Sequence, residues 1–105
     1  MKYRRFGRTG WEVSEIGYGM WGMAGWTGSN DEESLDALQL SVDMGCNFFD
    51  TAWAYGDGHS ERLLGRLINE NPDKTLYAAT TVPPKNRKWP PRRGSPRARR
   101  ACADR

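Results

Sequence analysis

Two amphipathic helix patterns alternate with three short apolar segments in this chain, and this alternation constrains the fold more than any other feature. The helix patterns cover residues 31–44 and 60–71, and the apolar segments cover 16–22, 47–51 and 75–82. Strands that alternate with helices along a chain pair in parallel, and the helices pack on the sheet. The sequence therefore predicts an α/β fold built from βαβ units.

The first helix pattern has clear signals at both ends. Ser29 precedes Glu32 by three residues, which is the spacing of a capping box at a helix amino terminus. Gly45 follows the pattern and supplies the left-handed residue with which many helices end. The apolar stripe consists of Leu35, Leu38 and Val42, and it is widened by Ala37, Leu40 and Met44. We expect this broad apolar face to lie on the sheet.

The second helix pattern begins at Ser60, a residue type that favours the amino-terminal cap. Its apolar side consists of Leu63, Leu64, Leu67 and Ile68, and Asn71-Pro72 ends it. Gly65 lies inside this helix, where glycine costs about 1 kcal/mol relative to alanine. Close packing on a neighbouring element is the reason we expect for this glycine.

A hairpin is predicted before the first helix, because residues 3–6 and 11–14 flank the turn-forming tetrapeptide Gly7-Arg8-Thr9-Gly10. The strand predicted at 16–22 contains three glycines, which weaken a strand unless something approaches its backbone closely. Two explanations stay open for these glycines. One is tight packing inside a barrel, and the other is a ligand that lies over the end of the strand.

Charge divides the chain into two parts. Residues 1–84 contain 7 Lys/Arg and 12 Asp/Glu, a net charge of −5, whereas residues 85–105 contain 9 Lys/Arg and one acid, a net charge of +8. The second part has too few apolar residues to offset the entropy of ordering. We therefore predict a folded domain at residues 1–84 and a basic, disordered tail at residues 85–105.

Several classes of protein are disfavoured by the sequence. Cys46 and Cys102 have no metal-type or redox-type spacing, and the charged start at residues 1–7 is not followed by the apolar core of a signal peptide. No apolar run approaches the roughly 20 residues that span a bilayer. We expect a cytoplasmic protein with no membrane partner and no metal site.

Asp50 lies at the carboxyl end of the strand predicted at 47–51, and Tyr55 follows it on the same loop. Ionisable residues at the end of a buried strand often indicate a site of chemistry. In parallel α/β barrels, ligands bind at this end of the strands. A tyrosine with an ordinary pKa of about 10 is a poor acid at neutral pH, so it needs a neighbouring cation to donate a proton. Aspartate, tyrosine and lysine together would form a proton-donating unit. In the competing interpretation, Asp50 bonds only to backbone and Tyr55 is an aromatic residue of a surface loop.

The residues around this loop are similar to the amino-terminal signature of the aldo/keto reductase family. The matching segment is Gly45-x-Asn47-Phe48-Phe49-Asp50-Thr51-Ala52-x-x-Tyr55-Gly56-x-Gly58-x-Ser60-Glu61-x-x-Leu64-Gly65. The hairpin, the turn at residues 19–22 and the acidic helix start at 31–34 resemble the same family. The resemblance covers residues 1 to about 90. It implies a hairpin plus about three βα units of a (β/α)8 barrel, apparently truncated.

The resemblance also implies an activity and a set of site residues. The family uses NADP(H) to interconvert carbonyl compounds and alcohols. Tyr55 matches the family's proton donor, and Asp50 matches the acid that supports it and lies near the nicotinamide ribose. Met20 and Trp21 match the turn after the first strand, which contacts the cofactor.

The chain departs from the family at the position of the family's lysine, where Thr81 stands. The device that assists the tyrosine is therefore missing. The family's histidine and its adenosine-phosphate site belong to later strands and helices that these residues do not include. His59 does not match that histidine, and we expect it at the rim of the turn. We expect the chain to be inactive alone.

Alternative functions stay open. The chain is either a non-catalytic remnant that binds nucleic acid weakly through residues 85–105, or a reductase-like regulatory subunit. The composition of that segment also arises when a GC-rich gene is read in another frame. Trp21, Trp26 and Trp53 either line an apolar substrate pocket or only pack at the barrel mouth. The expected partner is a small carbonyl substrate, with no specific nucleic acid; the oligomeric state is not constrained.

Overall fold

The computed structural model describes residues 1–25, 28 and 30–83 of the 105-residue chain. It contains five strands and two α-helices within those residues: β1 (Tyr3–Arg5), β2 (Glu12–Ser14), β3 (Tyr18–Gly19), α1 (Asp31–Asp43), β4 (Phe48–Asp50), α2 (His59–Glu70) and β5 (Tyr77–Ala79). Short 3-10 turns occupy Gly7–Thr9 and Trp21–Met23. The predicted order of hairpin, strand, helix, strand, helix and strand is confirmed.

The strands form two separate sheets. β1 and β2 pair antiparallel as the predicted hairpin, whereas β3, β4 and β5 form a parallel sheet in that order. Phe49 lies opposite Tyr18 on one side and opposite Ala78 on the other, and Asp50 lies between Gly19 and Ala79. Sequential neighbours in parallel order are the arrangement of consecutive βα units in a barrel.

Both helices pack on one face of the parallel sheet. Phe49 projects from the centre of this face and is fully buried. It belongs to a single core cluster whose helical members are Leu35, Leu38 and Val42 from α1 and Leu63, Leu64 and Leu67 from α2. These six residues are the apolar stripes that the sequence predicts, so the helix patterns correctly identify the buried sides.

Among the residues that the structure describes, those that cover the opposite face of the sheet lie only at its amino-terminal end. Side chains alternate between the two faces of a strand, so Phe48 and Asp50 lie on the face away from the helices. The ring of Phe6 in the hairpin lies 5.2 Å from the ring of Phe48, and Trp11 stacks on Tyr77 at 4.5 Å between ring centroids. The hairpin therefore closes the amino-terminal end of this face and leaves the carboxyl end open.

Asn47 attaches the hairpin to the start of β4. Its side-chain oxygen accepts a hydrogen bond from the Ser14 N–H at 2.7 Å, and its side-chain amide donates to the Glu12 carbonyl at 2.9 Å. The Asn47 N–H in turn donates to the Ser14 hydroxyl at 3.1 Å. The two side-chain hydrogen bonds explain why an asparagine occupies the position just before β4.

The sequence leaves two explanations open for the glycines in and beside β3, and each explanation applies to a different glycine. A Cβ at Gly17 would lie 3.3 Å from a ring carbon of Phe48, so this glycine permits tight packing. At Gly19, no described atom outside its two chain neighbours lies within 4 Å of an added Cβ, so the space over the strand end is open. Only the second position leaves room for a ligand.

The predicted capping box of α1 is wrong. The N-cap is Asn30, whose side-chain oxygen accepts a hydrogen bond from the Glu33 N–H at 2.8 Å. The helix starts one residue later than the capping box requires, because Asn30 has extended backbone angles and is an equally good cap. At the other end, Gly45 has a φ of +99°, which confirms the predicted left-handed stop.

The apolar face of α1 is narrower than predicted. Leu40 and Met44 are 61% and 67% exposed, and Ala37 is also exposed. The described part of the sheet has three strands, and α1 contacts it through one stripe only. The residues predicted to widen the stripe therefore face outward.

The predictions for the start and middle of α2 are also wrong. The N-cap is Gly58, with a φ of +92°, and the helix begins at His59, so Ser60 lies inside its first turn. No described atom outside its own helix backbone and chain neighbours lies within 4 Å of a Cβ added at Gly65. Close packing at Gly65 is therefore not observed, and Ile68 is exposed rather than buried. Asn71 ends the helix as expected.

The predicted disordered tail at residues 85–105 lies outside the described residues. The division of the chain into a domain at 1–84 and a tail therefore stays a prediction. Among the helices that the structure describes, none has the length and apolar composition needed to cross a membrane.

Candidate functional site

Asp50 is the last residue of β4 and lies at the open, carboxyl end of the parallel sheet. Its main-chain oxygen accepts a hydrogen bond from the Met20 N–H at 2.9 Å, which joins this strand end to the end of β3. The residue is exposed, in agreement with its place on the uncovered face. The structure therefore places Asp50 where the sequence predicts a site.

Tyr55 lies in the loop of residues 51–58 that joins β4 to α2. Its N–H donates to the Ala52 carbonyl at 3.1 Å, and its own carbonyl accepts from the Ser60 N–H at 3.2 Å. Three successive residues, Gly56, Asp57 and Gly58, have positive φ angles of 72°, 52° and 92°. Such a run makes a compact loop, so the backbone on both sides of Tyr55 is held close to the end of β4.

Met20 and Trp21 lie just after β3, at the same edge of the sheet as Asp50. Met20 is completely buried and belongs to the core cluster between sheet and helices. Trp21 starts a 3-10 turn and is 60% exposed. The structure therefore brings the turn predicted to contact a cofactor next to the strand end that carries Asp50, although the Met20 side chain faces the core.

Thr81 continues the line of β5 at the same edge. Its carbonyl accepts a hydrogen bond from the Trp53 N–H at 3.2 Å, two residues beyond the bond between the Thr51 N–H and the Ala79 carbonyl. The side chain of the preceding Thr80 faces α2, since its hydroxyl donates to Glu61 at 2.6 Å. Alternation along the chain then assigns Thr81 to the open face, the face of Asp50.

A buried hydroxyl pair lies behind this edge. The Thr51 and Ser60 hydroxyl oxygens are 2.7 Å apart, and the Ser60 hydroxyl donates to the Met20 carbonyl at 3.4 Å. Both residues are almost fully buried. The sequence pattern does not reveal this pair and instead predicts Ser60 at the cap of α2. The available signal was its position after Gly58-His59, since a glycine can itself serve as the N-cap.

His59 is engaged outside the sheet edge. Its Nε2 lies 2.7 Å from a carboxylate oxygen of Asp31, so it joins the first turns of the two helices. Both side chains are partly exposed. The expected position of His59 at the rim of the turn agrees with this contact, which is structural.

The sequence leaves two alternatives for Trp21, Trp26 and Trp53: they line an apolar substrate pocket, or they only pack at the barrel mouth. Of the three, Trp53 borders a cavity among the described residues. Trp53 lines a cavity of about 450 Å³ together with Gly58, Glu61, Arg62 and Val82. This lining mixes charged and apolar side chains. The cavity beside Trp53 is therefore not an apolar pocket. Trp26 lies outside the described residues.

Tyr18 lies in β3 and has a shifted pKa. Burial, and to a smaller extent the electrostatic effect of the nearby Cys46, raises the pKa of Tyr18 above its ordinary value of 10.0. Its ring stacks on Phe49 at 6.1 Å, on the helix face and away from Asp50. Tyr18 is therefore partly buried and packs against the core. In the described part of the chain, no three His, Cys, Asp or Glu side chains are grouped as a metal site.

Comparison with known proteins gives concordant matches in sequence. The chain matches the aldo/keto reductase family over residues 15–105. Aldo-keto reductase YhdN of Bacillus subtilis is 36% identical over 86 residues, which cover 78% of this chain and 26% of that protein. A probable voltage-gated potassium channel subunit beta of Oryza sativa subsp. japonica is 36% identical over 70 residues, covering 67% of this chain and 21% of that protein.

Solved structures agree with these matches. A thermostable aldo-keto reductase in complex with the inhibitor epalrestat superimposes with a TM-score of 0.69 at 38% identity, covering 80% of this chain and 32% of that one. An aldo/keto reductase from Klebsiella pneumoniae in complex with NADP and acetate superimposes with a TM-score of 0.71 at 29% identity. This match covers 98% of this chain and 33% of that one.

The chain thus spans between a fifth and a third of the length of these relatives. The match in fold confirms the predicted architecture, a hairpin followed by the first βα units of a (β/α)8 barrel that is incomplete in these residues. The family match, which includes the signature around Asp50 and Tyr55, covers most of the chain. This chain belongs to the aldo/keto reductase family.

Proposed function

We propose that these residues supply the first part of the active site of an NADP(H)-dependent reductase that interconverts small aldehydes or ketones and alcohols. The observation that carries the proposal is the meeting of Asp50, the Met20–Trp21 turn and the Tyr55 loop at one open sheet edge. Ligands of α/β barrels bind at this edge. The NADP complex of the related Klebsiella pneumoniae reductase supports the choice of cofactor.

The residues at this edge fit a nicotinamide ring. Gly19 lies directly opposite Asp50, and a Cβ added there would meet no described atom within 4 Å beyond its chain neighbours. This open space beside the exposed Trp21 can accept a planar ring. When bound, the cofactor supplies a hydride to the carbonyl carbon. Asp50 and the Met20–Trp21 turn would hold it at this edge.

In the proposed reaction Tyr55 donates its phenolic proton to the carbonyl oxygen of the substrate as the hydride arrives at carbon. The tyrosine then becomes a phenolate, which is costly at neutral pH without a nearby cation. Asp50 would hold that cation in place. In the family this cation is a lysine, and the resemblance places it at Thr81, which carries no charge. We therefore propose that the 105-residue chain does not turn over by itself.

The test places these residues in a complete barrel. Residues 1–83, with Thr81→Lys, replace the matching segment of Bacillus subtilis YhdN, and NADPH oxidation is measured with a simple aldehyde. We expect turnover by this graft and a fall of about 10²- to 10⁴-fold in kcat with Tyr55→Phe, the usual contribution of general acid catalysis.

Tyr3→Phe is the matched control, because Tyr3 lies on the hairpin at the closed end of the sheet and Phe preserves its ring. This control should keep the kcat of the graft within about twofold. If Tyr55→Phe in the graft is as active as Tyr3→Phe, then Tyr55 is not the proton donor.

A second candidate is a reductase-like regulatory subunit. The match to a probable voltage-gated potassium channel subunit beta favours it, and so does the absence of the lysine at Thr81. The distinguishing measurement is made on the graft with Thr81→Lys, because both candidates predict little turnover when the threonine is kept. Binding of NADPH, followed by its fluorescence, without aldehyde-dependent oxidation supports the regulatory candidate, whereas turnover supports the enzyme.

The third candidate is a non-catalytic remnant whose basic segment at residues 85–105 binds nucleic acid weakly. Nine Lys/Arg within 21 residues would neutralise phosphates without regard to sequence. Binding of a random-sequence duplex by the 105-residue chain should then weaken steeply between about 50 mM and 200 mM salt. A truncation to residues 1–84, with its net charge of −5, should not bind at all.

A further inference from the structure

Ser60 makes polar contacts that its place in a helix does not require. Helix α2 is capped by Gly58, so the Ser60 hydroxyl is not used to satisfy the first N–H groups of the helix. The side chain is fully buried, and burying a hydroxyl without partners would cost free energy. Its partners belong to other elements, at the carboxyl edge of the sheet.

Three pieces of the candidate site meet at Ser60. Its hydroxyl lies 2.7 Å from the hydroxyl of Thr51, the residue that follows Asp50. The same hydroxyl lies 3.4 Å from the carbonyl of Met20, and the Ser60 N–H donates to the carbonyl of Tyr55 at 3.2 Å. One residue thus contacts the ends of both strands and the loop that carries Tyr55.

The direction of these hydrogen bonds follows from the number of protons. A serine hydroxyl has one O–H, and the Met20 carbonyl can only accept. With Ser60 donating to Met20, the Thr51 hydroxyl must be the donor to the Ser60 oxygen. The result is a directed chain from Thr51 through Ser60 to Met20, buried in a low-dielectric interior where such chains strengthen one another.

We propose that Ser60 is a positioning residue that fixes the Asp50 strand end, the Met20 turn and the Tyr55 loop relative to one another. This inference rests on the proposed function for its meaning, since positioning matters only if these residues act together. The contacts themselves do not depend on that function. A displacement of about 1 Å in a catalytic group is enough to lower a rate strongly, so a buried anchor at this point has a direct use.

The test measures amide hydrogen exchange by NMR on the 105-residue chain and on Ser60→Ala. The reporter amides are Met20, whose N–H donates to Asp50, and Tyr55, whose N–H donates to Ala52. Loss of the anchor should raise their exchange rates by about five- to tenfold through local opening. The Phe6 amide, which donates to Trp11 in the hairpin, should keep its rate.

Ser34→Ala is the matched control. Ser34 is also buried in the first turn of a helix, and this variant should leave the Met20 and Tyr55 amides unchanged. Thr51→Val removes the donor to Ser60 while keeping the shape of the side chain, and it should reproduce most of the Ser60→Ala effect. Thr51→Ser keeps the hydroxyl and should restore the wild-type rates at these two amides. A contribution from side-chain packing alone would not follow the hydroxyl in this way.

The outcomes separate cleanly. Faster exchange at Met20 and Tyr55 alone, with rescue by Thr51→Ser, supports the proposal even if the graft never turns over. The proposal is overturned if these amides are unaffected by Ser60→Ala or already exchange at unfolded rates in the parent chain. Should Ser60→Ala unfold the whole chain, Thr51→Val decides, and an equal acceleration of the Phe6 amide in that variant also overturns it.

Discussion

Replacing Gly45 by alanine tests how the hairpin, α1 and β4 are held together. Gly45 ends α1 with a φ of +99°, and its carbonyl accepts a hydrogen bond from the Tyr3 hydroxyl at 2.7 Å. A Cβ at this position would lie 2.8 Å from the Tyr3 hydroxyl oxygen and 3.1 Å from the Met1 Cβ. The Tyr3 hydroxyl is the end of a side chain and can move, but moving it breaks its bond to Gly45.

The magnitude has two parts. Placing an L-residue at this positive φ costs about 1–2 kcal/mol. Loss of the Tyr3 hydrogen bond adds about 0.5–1.5 kcal/mol. We therefore expect Gly45→Ala to lower the free energy of unfolding by about 1.5–3.5 kcal/mol.

The assay is urea unfolding of the 105-residue chain followed by circular dichroism, with Gly10→Ala as the matched control. Gly10 also has a positive φ, +71°, but no described atom beyond its two chain neighbours lies within 4 Å of an added Cβ, so it reports the cost of φ alone. In a Tyr3→Phe background there is no hydroxyl to displace, and only the contact at 3.1 Å with the Cβ of the terminal residue Met1 remains. The excess cost of Gly45→Ala over Gly10→Ala should then shrink.

Equal destabilisation by Gly45→Ala and Gly10→Ala in the parent chain would refute the contribution of Tyr3. Absence of a cooperative transition in the parent chain would refute the premise that these residues fold as one unit. That outcome would also agree with the open sheet face, since two sheet edges and one face lack covering elements in the described residues.

Two further predictions concern the core. Leu67 is fully buried, so Leu67→Ala should cost about 2–5 kcal/mol, whereas Leu40→Ala on the exposed side of α1 should change stability by less than about 0.5 kcal/mol; urea midpoints compare the two. Because burial raises the pKa of Tyr18, the folded chain holds the phenolic proton more tightly than the unfolded chain. This stabilisation is complete below about pH 10 and is lost as pH rises through the higher pKa of the folded chain. Tyr18→Phe should therefore flatten the fall in urea midpoint from about pH 10 upward.

The elements of the fold were accessible from sequence because periodicity and glycine chemistry act locally. The stripe of Leu35, Leu38 and Val42 identified the buried side of α1, and Gly45 identified its end. Asp50 was placed at a strand end because the short apolar segment before it reads as a buried strand. Each of these inferences depends on neighbouring residues only.

The errors arose where tertiary contacts compete with a local preference. Ser60 has the right chemistry for a cap, but Gly58 takes that position, and the hydroxyl bonds to Thr51 across nine residues instead. Asn30 displaced Ser29 because both are good caps one residue apart. Leu40 faces outward because α1 contacts the described sheet through one stripe of side chains only. The periodicity of the helix does not show how wide that contact is.

We propose above all that Asp50 and Tyr55 are part of a reductase site from which the lysine is missing at Thr81. The most direct measurement is the ratio of kcat for the YhdN graft with and without Thr81→Lys, using NADPH and a simple aldehyde. Thr75→Lys is the control, since it adds the same charge at an exposed position before β5. We predict that Thr81→Lys raises kcat by at least about 100-fold and that Thr75→Lys does not. Equal rates with threonine and lysine at position 81 would contradict the account.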